Sequence, residues 1–242
     1  MAQKGDIEIM ADLEYPKIDT LYNRDGKRFV NVGKLRRPEF GMIKRWFLTE
    51  KIHGRNTRIT LFDNEEVVYG GKTDDAEMPS ELLDYLKKTF TSEKMRSVFW
   101  LPDKPIPKSA TIYGEGYGPN MVPGSGIYRS DVAFRLFDCL VIHEGDEWWL
   151  ERHSLEDIAK KLEIKCVPLL GIIDFLPVSV EEIKHIFIKH RARMVIVEDG
   201  GQVELASEGE GIIAKTYPLL FNRKRERLMW KLKIKDFERK NY

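Results

Sequence analysis

The stretch Glu50-Lys51-Ile52-His53-Gly54-Arg55-Asn56 leads directly into Thr57–Phe62, which alternates in polarity and is rich in β-forming residues. The second run therefore predicts a strand, with Lys51 in a short segment before it. A lysine becomes a useful nucleophile when neighbouring cations or burial lower its pKa. Gly54 would let the backbone approach a phosphate closely. Because a Lys-x-His-Gly string is also common in surface sequence, this motif needs support from other parts of the chain.

Two further motifs follow in the middle of the chain. Tyr113–Gly118 places Glu115 between glycines at the end of a predicted strand, Ala110–Gly114. Its carboxylate could accept a hydrogen bond from a ribose hydroxyl, or it could be a solvated side chain in a glycine-rich turn. The apolar run Ala133–Ile142 predicts a longer strand. Within it, Phe137 lies an odd number of positions after Phe134, so it should point to the opposite face.

That orientation separates two aromatic roles on one strand. Phe134 is interpreted as a core residue, whereas Phe137 could offer its ring to a nucleotide base, a contact worth ~1–3 kcal/mol per base.

The last two motifs lie near the C-terminal end. Glu210 precedes an apolar strand predicted at Gly211–Lys215, and its carboxylate could hold a divalent ion or be an ordinary turn residue. In the strand predicted at Leu228–Lys235, residues alternate with a period of two. Lys231, Lys233 and Lys235 should therefore share one face, opposite Trp230, Leu232 and Ile234. The lysine face could bind anions, or it could deter aggregation at a sheet edge.

The remaining pattern predicts an α+β fold built on antiparallel β-sheets flanked by helices, because strands and helices do not alternate as βαβ units. A helix is predicted over Pro79–Phe90, with Leu82, Leu83, Leu86 and Phe90 on one face. Two more helices are predicted to begin at Ser154 and at Ser179, the latter with a capping box. Asp199-Gly200-Gly201, between Met194–Glu198 and Gln202–Leu205, predicts a hairpin.

Composition restricts the class of protein. The chain has 242 residues, 42% hydrophobic and 33% charged, with a net charge of +1, which is ordinary for a globular domain. The sequence contains no run of the ~20 apolar residues that a membrane span needs and no signal-peptide pattern at its start. Cys139 and Cys166 lie in apolar stretches and are interpreted as reduced core thiols of a cytoplasmic protein.

Nucleic-acid contacts are expected in the basic stretch Arg223–Lys240, which could alternatively be a solvated face.

Taken in order, the five motifs resemble those of the covalent nucleotidyltransferases, the superfamily of polynucleotide ligases and mRNA capping enzymes. Lys51–Gly54 looks like motif I, Gly114–Gly116 like motif III, Phe137-Asp138 like motif IIIa, Glu210-Gly211 like motif IV and Lys231–Lys233 like motif V. The match is closest to the RNA ligase 2-like branch, in particular its small phage-type members. His53, Asn56 and the segment Tyr69–Pro79 indicate that branch, although its members normally carry arginine where this chain has Lys72.

The resemblance implies an ATP-dependent RNA ligase with Mg²⁺ or Mn²⁺ as its metal. Lys51 would attack ATP to form lysyl-AMP, Glu210 would contribute to the metal site, and Lys231 and Lys233 would neutralise the α-phosphate. Glu115 would contact the ribose and Phe137 the adenine. The other implied contacts to the nucleotide and the 5′-phosphate are Glu50, Ile52, Asn56 and Lys72. Arg55, Arg58 and Lys215 are weaker candidates.

The implied substrates are RNA ends, a 5′-phosphate and a 3′-hydroxyl, with RNA–DNA hybrid nicks as a further candidate. We expect a single nucleotidyltransferase domain over residues 1–242 and no OB domain, because only nine residues follow Lys233. The expected location is the cytoplasm, or the host cytoplasm for a phage protein. A small ATP-dependent DNA ligase, a capping guanylyltransferase and a non-catalytic nucleic-acid-binding protein on the same fold are the alternatives. The sequence indicates no oligomeric state.

Overall fold

The computed structural model describes residues 13–26, 29–125, 129–191, 197–198, 201–202 and 210–237. The chain forms two compact units, each assembled from two segments. Unit 1 consists of Met1–Pro16 and His53–Cys166, and unit 2 consists of Lys17–Ile52 and Val167–Tyr242. The single domain expected over residues 1–242 stays a prediction.

The described residues form β-strands, α-helices and short 3₁₀ turns. In chain order, the strands are β1 Asp19–Thr20, β2 Tyr22–Asp25, β3 Phe29–Leu35, β4 Trp46–Lys51, β5 Arg55–Phe62, β6 Val67–Gly70, β7 Ser109–Tyr117, β8 Ala133–His143, β9 Asp146–Trp149, β10 Lys165–Cys166, β11 Leu169–Ile173, β12 Val197–Glu198, β13 Gly201–Gln202, β14 Gly211–Thr216 and β15 Met229–Lys233. The α-helices are α1 Ser80–Thr89, α2 Ser92–Phe99, α3 Arg152–Lys161 and α4 Val180–Arg191. The 3₁₀ turns cover Pro38–Met42 and Ile234–Asp236.

Unit 1 is built on a six-stranded sheet in the order β10-β8-β7-β5-β6, with β9 paired to β8. One face carries the apolar side chains of β5, β7 and β8, and α1, α2 and α3 contribute to the same core. Leu82, Leu86 and Phe90 are fully buried there, as their helical spacing predicts, while Leu83 is half-buried. Helix α3 begins at Arg152, two residues before the predicted start at Ser154.

The length of strand β7 differs from the prediction. The prediction ended it at Gly114, but it continues through Gly116 to Tyr117, so Glu115 lies in the middle of a sheet and not in a turn. The glycines allow this extended pairing because backbone segments of the same chain approach each other very closely here. A Cβ atom on Gly114 would lie 2.5 Å from the carbonyl oxygen of Arg135, and one on Gly54 would lie 2.3 Å from that of Gly116. Pairing with β5 and β8 on both sides keeps the strand extended.

Unit 2 is built on a five-stranded sheet in the order β1-β15-β14-β4-β11. Strand β4 was not predicted from the sequence, although Trp46 and Leu48, two positions apart, lie on one face and are completely buried. Ile183 and Ile186 of α4 pack in the same core. As predicted, Ser179 caps this helix by accepting a hydrogen bond from the Glu182 amide, 3.2 Å away.

Strand β15 is shorter than predicted. It ends at Lys233, and the chain turns into the 3₁₀ segment Ile234–Asp236, so Lys235 does not share the lysine face. The Asp236 carboxylate holds this turn by accepting from the Lys233 amide at 3.0 Å and from Arg24 at 2.8 Å. Trp230 and Leu232 are fully buried, which confirms the core face of the strand.

Most strand pairs are antiparallel, as expected for an α+β fold, and two short pairs are parallel: β1 with β15, and β10 with β8. The predicted hairpin is present where β12 pairs with β13, and its other residues lie outside the described part of the chain. Cys139 is buried, Cys166 is half-buried, and no disulfide joins them. Among the described residues, no helix is both long and apolar enough for a membrane span.

Candidate active site

Lys51, Gly211 and Lys233 form one row across three strands of unit 2. Gly211 is paired with Lys51 on one side and with Lys233 on the other. Directly paired residues of a sheet project from the same face. With no side chain between them, the two lysine side chains can converge above Gly211.

Glu210 forms ion pairs with both of these lysines. The Lys51 and Lys233 ammonium groups each pair with one oxygen of the Glu210 carboxylate. The side chain of Glu210 is 12% exposed, and each lysine side chain is 21% exposed. Burial by itself would raise the pKa of Glu210, but the two ammonium groups outweigh it, so that pKa lies below its ordinary value. The result is a half-buried cluster of two cations and one anion.

Gly211 is required by the backbone as well as by the lysines. A Cβ atom there would lie 2.1 Å from the carbonyl oxygen of Leu232 and 2.8 Å from the Cα atom of Lys233. Any side chain at this position would therefore push β15 away from β14.

Lys231 and Lys215 lie on the same sheet face as this cluster. The next row pairs Thr49 with Ile213 and Ile213 with Lys231, and the row beyond it pairs Phe47 with Lys215. Strand β15 is paired along its length with β14 and at Trp230 and Lys231 with β1. Lys231 therefore does not lie on an open sheet edge.

Glu50 and Ile52 have different positions from Lys51. Glu50 alternates with Lys51 and pairs with Ile212, so it belongs to the core face and is 6% exposed. Its amide donates to the carbonyl of Pro168 at 2.9 Å. Ile52 is buried and is the last residue of the first segment of unit 2. The nucleotide contacts predicted for these two residues stay predictions.

A second group of predicted residues lies in unit 1. Asn56 of β5, Glu115 of β7 and Arg135 of β8 form one row. The Oδ1 atom of Asn56 is buried and has no hydrogen-bond partner among the described residues. An unsatisfied buried acceptor costs ~1–3 kcal/mol, so this position favours an external donor.

Phe137 owes its position to a β-bulge. Tyr113 pairs with Asp138 and Gly114 with Leu136, which leaves Phe137 as the extra residue of β8. Bulges re-aim side chains and occur next to functional sites. Phe137 is half-buried, whereas its neighbours Leu136 and Asp138 are buried. Phe134 is 3% exposed and packs edge-on against Phe90 in the core, as predicted.

Tyr15 contacts two residues at the bulge, Phe137 and Asp138. Its ring lies edge-on to Phe137, with 5.0 Å between centroids, and its hydroxyl donates to the Asp138 carboxylate at 2.6 Å. No role was predicted for Tyr15 from the sequence. No local signal could have found it, because Asp138 lies 123 positions away in the chain.

Arg135 was also missed, although an arginine within a nearly continuous apolar strand is a visible signal. It is buried and donates to the Tyr117 hydroxyl and to the Cys166 carbonyl, each at 3.1 Å.

Arg58 is buried and makes structural contacts, whereas the Lys72 side chain is exposed. The Arg58 side chain is 4% exposed, pairs with Asp74 and donates to the carbonyl of Gly71 at 3.2 Å. It thereby anchors the segment that carries Lys72. Arg55 donates to the carbonyl of Met121 at 2.7 Å, which also indicates a structural contact.

The donor chemistry at Glu210 fits a magnesium ion. Mg²⁺ usually takes one or two carboxylates and completes its shell with waters and substrate phosphates. The described residues contain no cluster of three or more His, Cys, Asp or Glu side chains that could form an all-protein site. The metal contact predicted for Glu210, whose two oxygens pair with Lys51 and Lys233 here, stays a prediction.

Comparisons with known proteins show the family and the fold of the chain. The RNA ligase family model matches residues 44–233, which include Lys51 and Lys233. No curated protein matches the chain. Among solved structures, a lysine-to-alanine variant of the Naegleria gruberi RNA ligase with ATP and Mn matches with a TM-score of 0.53 and 16% identity, covering 90% of this chain and 62% of that one.

Two other states of the Naegleria gruberi enzyme match similarly. A lysine-to-methionine variant with AMP and Mn has a TM-score of 0.54 at 16% identity, covering 93% of this chain and 60% of that one. The enzyme with PPi has a TM-score of 0.53 at 16% identity, covering 91% and 61%. This chain thus spans about three fifths of the length of these structures, and at this identity the likeness shows a common fold. With the family model matching well over half of its length, the chain belongs to the RNA ligase family.

Proposed function

We propose that this chain is an ATP-dependent RNA ligase in which Lys51 forms a covalent bond to AMP, and that residues 1–242 act as one nucleotidyltransferase domain. The observation that carries the proposal is the cluster of Lys51, Lys233 and Glu210 around Gly211. A nucleophile for phosphoryl transfer needs neighbouring cations that balance phosphate charge, and this cluster contains one such cation beside Lys51.

In the first step, the Lys51 ammonium releases a proton to solvent and its neutral Nζ attacks the α-phosphorus of ATP. The attacking nitrogen releases a second proton to solvent as the phosphoramidate forms. The new N–P bond forms as the bond from that phosphorus to the bridging oxygen breaks, and pyrophosphate leaves. Lys233 and Lys231, on the same sheet face, would neutralise charge on the α-phosphate. Mg²⁺ or Mn²⁺, when bound, supplies further neutralisation of phosphate charge, with Glu210 as its protein ligand.

The two later steps transfer AMP and join the ends. An oxygen of the RNA 5′-phosphate attacks the lysyl-AMP phosphorus, the N–P bond breaks, and the Lys51 nitrogen takes up a proton from solvent, which regenerates the amine. A 3′-hydroxyl then attacks the activated 5′-phosphorus and AMP leaves, so a phosphodiester forms. Each step is in-line phosphoryl transfer, in which positioning and charge balance dominate.

The residues of unit 1 would select the nucleotide. Glu115 would accept from the ribose hydroxyls and Phe137 would stack on adenine. The bulge at Phe137 and the unsatisfied Oδ1 of Asn56 support these roles. Lys72, exposed beside the Arg58 anchor, would contact the 5′-phosphate. The Naegleria gruberi enzyme in complexes with ATP, AMP and PPi supports the choice of nucleotide.

The decisive experiment is covalent labelling. Wild-type protein incubated with Mg²⁺ and α-labelled ATP should retain acid-stable label, and Lys51→Ala should retain none. Lys51→Arg preserves a cation beside Glu210 but cannot form a stable lysyl adduct, so it should also stay unlabelled while remaining folded. Lys44→Ala removes an exposed lysine from the same unit and should label normally.

Three outcomes would contradict the proposal. They are absence of label with ATP, label from GTP alone, and label that survives in Lys51→Ala. Comparing the sealing of RNA and DNA at the 3′-hydroxyl side tests the substrate, and a clear preference for all-DNA nicks would overturn the RNA assignment.

A further inference from the structure

The segment Tyr217–Leu228 of unit 2 is an ordered loop with exposed apolar side chains at its base. Tyr217, Leu220 and Phe221 are 56%, 41% and 46% exposed. Three interactions hold the loop. The amide of Leu228 donates to the carbonyl of Leu220 at 2.8 Å, Phe221 and Arg227 form a β-bridge, and the amide of Leu220 donates to the Thr216 hydroxyl at 2.8 Å.

The tip of this loop is basic. Arg223, Lys224 and Arg225 are exposed, and the turn is closed by the Asn222 side chain, which accepts from the amides of Lys224 and Glu226 at 2.8 and 3.0 Å. The nearby Glu226 carboxylate is engaged with Arg37 at 2.9 Å and with Asn222 at 2.8 Å. The tip therefore presents three cations, and the adjacent acid is already balanced by Arg37.

The base of the loop lies next to the sheet face that carries Lys51. Phe47 and Lys51 are on the same strand and, four positions apart, on the same face, about 13 Å from each other at the usual strand rise. The ring of Tyr217 lies 6.1 Å from that of Phe47, with 31° between the ring planes. Lys215 pairs with Phe47, and the row Thr49–Ile213–Lys231 lies between Phe47 and the Lys51 row.

We propose that Phe47, Tyr217, Phe221 and the basic tip Arg223–Arg225 form a binding surface for the single-stranded RNA segment next to the end that is joined. Exposed aromatic side chains beside cations are the means by which proteins bind single strands, since bases stack on the rings and cations follow the phosphates. The occupant is RNA and not a protein partner because the exposed rings lie next to a run of three cations, and the adjacent acid, Glu226, already pairs with Arg37. This inference rests on the proposed function, because it places the reacting RNA end at Lys51.

A binding assay tests the surface without turnover. The probe is a 12-nucleotide single-stranded RNA with a 5′-phosphate and a 3′-fluorescein, which blocks joining, and the readout is fluorescence anisotropy in the absence of ATP. Tyr217→Ala and Phe221→Ala should each weaken binding at least ~5-fold, the lower bound for removing one stacked ring. Tyr217→Phe keeps the ring and should bind within about 2-fold of wild type.

The basic tip is tested through salt dependence. Arg223→Ala, Lys224→Ala and Arg225→Ala combined should reduce the slope of log affinity against log salt by ~0.7 for each phosphate that the tip no longer neutralises. Val178→Ala removes a side chain that is 50% exposed just before α4, whose isoleucines pack on the core face of this sheet, opposite to Phe47, and it should leave RNA binding unchanged.

Labelling by ATP separates this inference from the proposed function. All the loop variants should self-adenylylate like wild type, because they leave the Lys51 cluster intact, and this also shows that they fold. If wild type labels but the aromatic variants bind RNA as wild type does, the surface is wrong and the proposed function stands. If the aromatic variants lose RNA binding but wild type never labels, the proposed function fails alone. An equal loss in the Val178→Ala control would also overturn the surface.

Discussion

Lys51 and Lys233 lie on opposite sides of Gly211 in one row of a sheet and pair with the two oxygens of the same carboxylate, Glu210. The nucleophile, the neutralising cation and the metal ligand of the proposed mechanism are thus coupled through one ionic cluster. Changing any of them alters the charge balance of the other two, and several consequences can be measured.

The first prediction concerns acid stability. The pKa of Glu210 is lowered in the folded protein, so its carboxylate stabilises the fold above its unfolded pKa of about 4.3, and that contribution is lost as the pH falls through the lower folded value. Glu210→Gln should lower the free energy of unfolding by ~1–3 kcal/mol near pH 7. In urea titrations, the gap between wild type and Glu210→Gln should close progressively below about pH 4.3.

The control for that experiment is Glu66→Gln, which changes an exposed carboxylate in unit 1. Its stability should follow the wild-type curve at every pH. A gap between wild type and Glu210→Gln that stays constant down to about pH 2 would show that the ion pairs contribute nothing.

The second prediction concerns Gly211. Gly211→Ala introduces a Cβ atom 2.1 Å from the Leu232 carbonyl, so β15 must shift together with Lys231 and Lys233. We expect a loss of more than ~1 kcal/mol in unfolding free energy and a marked drop in the rate of labelling by ATP. Gly33→Ala is matched, because its Cβ atom would meet only the Asn31 side chain, at 3.5 Å. Comparable labelling rates in both variants would contradict the prediction.

The third prediction separates two phenylalanines of β8. Phe134→Ala removes a ring from the core and should cost ~3–5 kcal/mol of stability, measured by denaturant unfolding. Phe137→Ala should cost less stability but should weaken ATP binding by ~5- to 150-fold, the equivalent of one stacked base. Isothermal titration with ATP checks this. Unchanged ATP affinity in Phe137→Ala would remove the aromatic from the nucleotide site.

The fourth prediction concerns Tyr15 as the support for Phe137. Tyr15→Phe removes the hydroxyl that donates to the buried Asp138 carboxylate and should cost ~1–3 kcal/mol in stability. Since the ring against Phe137 remains, the KM for ATP should change little. Tyr15→Leu removes the ring and should raise that KM as well. Tyr69→Phe, which breaks a bond to the uncharged carbonyl of Phe90, is the milder control.

The fifth prediction distinguishes Lys72 from its anchor. Lys72 is exposed, so Lys72→Ala should change the unfolding free energy by less than ~0.5 kcal/mol while slowing transfer of AMP to a 5′-phosphate end. Arg58→Ala removes a buried guanidinium that pairs with the exposed Asp74 carboxylate and donates to the Gly71 carbonyl, and it should destabilise unit 1 by more than ~1 kcal/mol. Thermal unfolding and single-turnover AMP transfer measure the two effects. Equal stability losses would refute this division of roles.

The amino-acid sequence by itself determined the α+β class, the core faces and the identity of the motif residues. These follow from short-range patterns, such as the period of two in Trp230–Lys233 and the helical spacing of Leu82 and Leu86, which depend only on local geometry. The same local reasoning ended β7 at Gly114, because glycines signal turns unless neighbouring strands need them for close approach.

Only the tertiary structure decided how Lys51 meets Glu210, 159 positions away, and how Tyr15 supports Phe137. The first depends on the register of β4, β14 and β15, and the second on the bulge that displaces Phe137 in β8. A register shift of one residue would turn Lys51 to the other face of its sheet. Because register is set by the packing of whole sheets, no local pattern in the sequence carries it.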